Sequence, residues 1–108
     1  MNAWILLAFA IVAEVAGTTA MKLSRGFEVW QWTVALVVCY VVSFYLLALA
    51  LKYIEIGVAY AIWAGAGTAL VALIGIAVFH ESMTAVKVMS LVAIIAGVVG
   101  LNLSGGHA

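Results

Sequence analysis

Charge is scarce in this chain. Of its 108 residues, only Glu14, Lys22, Arg25, Glu28, Lys52, Glu55, Glu81 and Lys87 are charged. That is 7%, against ~25% in soluble domains. Asp and Pro are absent, and Cys39 is the single cysteine. So little polarity excludes a water-soluble domain and a disordered tail. A net charge of zero excludes the basic field of a nucleic-acid binder. One cysteine excludes an internal disulfide, and a thiol inside an apolar run reads as packing. Without Pro, any helix bend must come from Gly. With no Asp, and with His80 and His107 placed in a turn and in the tail, no catalytic set, metal cluster or phosphate loop can be assembled. Neither an enzyme nor a cofactor is expected.

What the chain does have is apolar length. Hydrophobic residues make up 69% of it. A helix needs ~20 apolar residues to cross the hydrocarbon core. Four such runs are present, at about 3–21, 33–51, 58–79 and 86–103. They do not alternate with the period of barrel strands, so helices are expected. The fold class is therefore an all-α membrane protein of four transmembrane helices in a single domain. Trp30 and Trp32 suit a membrane interface before the second run. Ser82 or Thr84 is placed to cap the fourth helix. Ser104 to Ala108 reads as a tail without order. No Lys or Arg precedes the first run, so it is expected to stay in the mature protein rather than act as a cleaved signal.

Seven of the eight charges fall in or beside the connections, where solvated turns normally hold them. Glu14 does not. It lies about seven residues before the end of its run, roughly 10 Å deep at 1.5 Å per residue. An ionisable group at that depth is costly and marks a functional site by default. No Lys, Arg or His lies at matching depth in the other runs. Apolar surroundings without a cation favour the neutral form of a carboxyl, and a second copy nearby favours it further. Such a group can hold a proton, release it and accept a cation in its place.

Helical spacing puts Ala10, Gly17, Thr18 and Met21 on the Glu14 face. Three of these are small and leave room beside the carboxyl. The second run offers Tyr40, Ser43 and Phe44, and the third offers Tyr60 and Trp63 on one face. Aromatic walls around a carboxylate suit a lipophilic cation. Gly65 and Gly67 either bend the third helix or let a neighbour approach closely. Ser90, Ala93, Gly97, Gly100 and Ser104 recur every three or four residues along the fourth run. Small residues on one face carry helix association in lipid. This stripe favours a contact with a second copy.

The residues also resemble a known family. The stretch from Ala13-Glu14-Val15-Ala16-Gly17-Thr18 to Gly26-Phe27 is similar to the first helix of the small multidrug resistance transporters. Cys39 to Ala48 looks like their second helix, Gly57 to Gly67 like their third, and Gly97 to Leu103 like their fourth. The likeness covers nearly the whole chain. It implies a proton-coupled exporter of cations in the bacterial cytoplasmic (inner) membrane, working as an antiparallel, dual-topology homodimer. It implies that Glu14 binds proton or substrate, with Tyr40, Ser43, Tyr60 and Trp63 lining the site. Gly65 and Gly67 match the flexible segment of the third helix, and the small stripe of the fourth matches the dimer contact.

Two branches of the family are open. Ala16, where the guanidinium-exporting branch typically has Trp, favours the multidrug, quaternary-ammonium branch, as do Gly17-Thr18 and Asn102. Glu81-Ser82 looks like the guanidinium branch. Lys22, Arg25 and Lys87 fall on one side of the membrane and Lys52 on the other, a bias small enough to permit insertion both ways. A guanidinium or polyamine exporter of the same fold is the alternative function. A proton-binding structural subunit is a more distant one, since such hairpins typically lack an aromatic cluster opposite the carboxyl.

Overall fold

The computed structural model describes residues 2–104. Four helices follow one another: α1 (Ala3–Leu23), α2 (Trp30–Ala50), α3 (Ile56–Val78) and α4 (Ala85–Leu103). Each is long and apolar enough to span a membrane. Of the tail expected from Ser104 onward, Ser104 itself is ordered as the C-cap of α4, its amide donating to the Gly100 carbonyl at 3.0 Å, and the rest lies outside the described residues. Trp30 and Trp32 belong to the first turn of α2, which starts three residues before the expected position. α1 extends two residues past its expected end, so Glu14 sits near its midpoint. It is nine residues from Leu23, which is about 14 Å.

The ends of the helices have identifiable causes. The Asn2 side chain accepts from the Trp4 amide at 2.8 Å and caps α1. Of the two candidate caps for α4, Thr84 is the one used, accepting from the Lys87 amide at 3.2 Å. Lys87 Nζ donates to the Ser82 carbonyl at 2.6 Å and closes that turn. After α1 the chain passes through three left-handed residues, Arg25, Gly26 and Phe27. Gly26 takes that conformation without strain. Buried Ser24 anchors the turn, donating to the Met21 carbonyl and accepting from the Phe27 amide.

α1 packs along α2, and α3 packs against both α1 and α4. Lipid offers no apolar drive between helices, so close approach and interhelical hydrogen bonds hold the bundle. Ala3, Ala10 and Gly17 recur every seven residues along α1, and the C-cap Ser24 continues the period. On α2, Leu36, Ser43 and Ala50 are buried at the same period. The two seams meet closely enough that Ser43 Oγ donates to the Ala10 carbonyl at 2.7 Å. An apolar core of Leu7, Ile11, Ile54, Ala59 and Ile62 gathers at the end of the bundle that holds the α2–α3 connection. Lys22 and Phe79 meet at the opposite end, 5.7 Å from ammonium to ring centroid.

α4 has no buried residue. Leu91, Ile94, Val98 and Leu101 are its half-buried positions, turned toward α3. The subunit measures 41 × 35 × 18 Å along its principal axes.

Candidate functional site

The mid-membrane carboxyl is built from small residues outward. α1 presents half-buried Glu14 toward α3. There α3 has Gly67, and a methyl group at that position would lie 2.9 Å from Glu14 Oε2. Gly67 is thus a seat for the carboxylate. Gly65, two residues earlier, faces the other way. A methyl there would meet Val98 Cγ2 at 2.9 Å and Ile94 Cγ2 at 3.4 Å. α3 runs unbroken through both glycines. Of the two readings open for them, this structure displays close approach rather than a bend.

One residue links the carboxyl to α2. The Thr18 hydroxyl donates to Glu14 Oε1 at 3.0 Å. It lies 2.8 Å from the Tyr40 hydroxyl. A hydroxyl has a single proton to give. With that proton on the Glu14 bond, Tyr40 is the donor to Thr18. The result is a directed chain from Tyr40 through Thr18 to Glu14. Gly17 makes it reachable, because a methyl there would meet the Tyr40 ring at 3.0 Å and Cys39 Cβ at 3.2 Å.

The aromatic residues form a continuous wall. Tyr40 and Phe44 are 6.3 Å apart between ring centroids. Phe44 meets Trp63 edge-on at 5.6 Å, and Trp63 tilts against Tyr60 at 5.8 Å. Trp63 Nε1 is buried with no hydrogen-bond partner among the described residues, a donor that costs free energy until something accepts from it. Tyr60 is 59% and Phe44 55% exposed, so this wall fronts open space.

A cavity of about 510 Å³ joins the carboxyl to the Tyr60–Trp63 end of this wall. Glu14, Thr18, Tyr60 and Trp63 line it, with Gly67 at its floor. Five residues expected around the site are not among those lining it: Ala10, Gly17, Tyr40, Ser43 and Phe44. Tyr40 and Phe44 stand behind Thr18 and Trp63 instead. Ala10 and Ser43 are buried against each other between α1 and α2, and the expectation that they border the site is corrected. The room that small Ala10 and Gly17 were expected to leave beside Glu14 is filled by α2. Periodicity identified their face but not what covers it. The cavity also includes residues not anticipated: Ala64, Thr68, Val71, Ala72 and Glu81. The α3 members follow from the face of Gly67 at helical spacing. Glu81 comes from the α3–α4 connection, where the sequence predicts a solvated turn. Ser90, Ala93, Gly97 and Gly100 are all exposed on α4, and nothing lies within 4 Å of a methyl added at Gly97 or Gly100.

The Small Multidrug Resistance protein family matches residues 2–94. The chain belongs to that family. It is 44% identical over 103 residues to the multidrug transporter EmrE of Escherichia coli (strain K12), covering 95% of this chain and 94% of that one. The nicotine metabolites export pump subunit NepA of Paenarthrobacter nicotinovorans is 44% identical over 107 residues, 99% of this chain and 92% of that one. The multidrug resistance protein EbrB of Bacillus subtilis (strain 168) is 44% identical over 109 residues, 100% of this chain and 92% of that one. The resemblance seen in the sequence therefore holds. Small multidrug resistance proteins are transporters and not enzymes. Membership, with four spanning helices, places this chain in the bacterial cytoplasmic (inner) membrane.

Proposed function

We propose that this small multidrug resistance protein is a proton-coupled antiporter that exports lipophilic, aromatic and quaternary ammonium cations. Proton and substrate compete for Glu14. The observation that carries this reading is a mid-membrane carboxyl opening on a cavity walled by Tyr60 and Trp63. A carboxyl in such a place is functional by default, and aromatic faces attract a cation by about 0.5–2 kcal/mol each. Thr18 and Tyr40 orient the carboxylate. The names of the relatives, a multidrug transporter and a nicotine-metabolite export pump, support outward movement of varied small molecules.

The working unit in this proposal is a homodimer of oppositely inserted copies. The exposed small stripe Ser90, Ala93, Gly97 and Gly100 supports pairing. Inversion between chains would present Glu14 to each side in turn. Gly65 and Gly67 are the proposed points where α3 yields as access changes. NepA is named as a subunit, so pairing with a homologous chain is the second arrangement to test. In proteoliposomes with an imposed proton gradient, the wild type should expel a quaternary ammonium ion and Glu14→Gln should not. Expulsion by the variant would sink the assignment.

A further inference from the structure

Glu14 is not the only carboxylate in its cavity. Glu81, from the α3–α4 connection, lines the same space. His80 is left-handed, with φ of 57°. That turn brings the Glu81 amide back to the Gly75 carbonyl at 3.0 Å. The Glu81 carboxylate then folds over Gly75, and a methyl at Gly75 would collide with it. Both acids are thus seated on glycines of α3, at Gly67 and Gly75. Those seats are eight residues apart, with Val71 between them on the cavity wall. At 1.5 Å per residue the two carboxylates stand about 12 Å apart along α3.

Two cations at this end of the bundle, Lys22 and Lys87, make other contacts. Lys22 shares a side cavity with Glu81, but its ammonium is over the Phe79 ring at 5.7 Å. Lys87 Nζ is held by the Ser82 carbonyl at 2.6 Å and hydroxyl at 3.2 Å. Glu81 is exposed, and the aromatic wall lies at the Glu14 end. One end of the cavity therefore suits a buried, ring-faced cation and the other a solvated one.

Resting on the reading of Glu14 as the cation site, we infer that Glu81 is a second, outer cation-binding carboxylate that makes this cavity a two-point site for elongated dications. The substrate class is a linear molecule with positive centres about 12 Å apart. One centre sits at Glu14 among the rings and the other at Glu81. A monocation uses Glu14 alone. A dication too short to span the two uses one carboxylate at a time.

The test is competitive binding to the purified full chain in detergent. The probes are tetraphenylphosphonium and α,ω-bis(trimethylammonium) alkanes of graded length. The wild type should prefer the alkane whose nitrogens match the spacing. Glu81→Gln should weaken that alkane by about tenfold, the loss of one charge contact of moderate strength. It should leave tetraphenylphosphonium and the short dication within about twofold. Gln keeps the shape that rests on Gly75, so the fold is not at issue. Equal loss for all probes, or no loss for the matched alkane, overturns the role of Glu81 and leaves Glu14 untouched. If the wild type binds none of the cations while Glu14→Gln behaves identically, the reading of Glu14 falls and this inference with it.

Discussion

Glu14 rests on the bare backbone of Gly67: a methyl group there would stand 2.9 Å from the carboxylate oxygen. Gly65 meets α4 instead, at Val98. The two glycines should therefore fail differently. Gly67→Ala should displace the carboxylate and weaken cation binding about tenfold or more while four helices persist. Gly65→Ala should cost about 1–3 kcal/mol of stability through overpacking against Val98, with binding largely kept. Thermal melts and binding isotherms on both variants check this. Identical profiles would contradict the separate roles.

The directed chain from Tyr40 to Glu14 makes a graded prediction. Thr18→Val removes the donor that orients the carboxylate. A hydrogen bond to a charged group contributes about 1.5–3 kcal/mol, so cation affinity should fall at least tenfold. Tyr40→Phe removes only the outer link and should cost less, about 0.6 kcal/mol on average for an interhelical bond in lipid. The double variant should be no worse than Thr18→Val alone, because the Tyr40 bond has nothing to act on once Thr18 is gone. Additive losses would separate the two residues.

Trp63 stands between Phe44 and Tyr60 in the aromatic wall. Trp63→Ala should weaken aromatic cations by about 1–2 kcal/mol more than tetramethylammonium. Competition binding with both cations reads the difference. Equal losses for the two would show that Trp63 packs rather than binds.

On α4, Leu91, Ile94 and Val98 turn toward α3 and the small stripe faces out. A methyl at Gly97 meets nothing within 4 Å among the described residues. Gly97→Leu should therefore leave the helices intact and abolish pairing, seen as a halved mass in detergent by light scattering. An unchanged dimer would place the contact elsewhere.

Much of this was legible in the sequence, for physical reasons. Lipid demands continuous apolar runs, so four helices could be found within three residues at each end. A charge in such a run is expensive, so Glu14 stood out at once. Ala10 and Ser43 were less legible. Helical periodicity gives the face of a residue but not the neighbour that covers it, and α2 covers Ala10. Glu81 was hidden for a different reason. Its reach into the cavity depends on the left-handed turn at His80, and no apolar period encodes a loop conformation. The glycine at Gly75, eight residues beyond Gly67 on the same helix, was the available sign.

The exchange of proton for cation at Glu14 is the centre of the account. Purified protein in weakly buffered detergent, titrated with tetraphenylphosphonium, tests it most directly. The wild type should release protons as it binds. Glu14→Gln should release none. Cation binding by the wild type with no proton released at any pH, or equal release from Glu14→Gln, would contradict it.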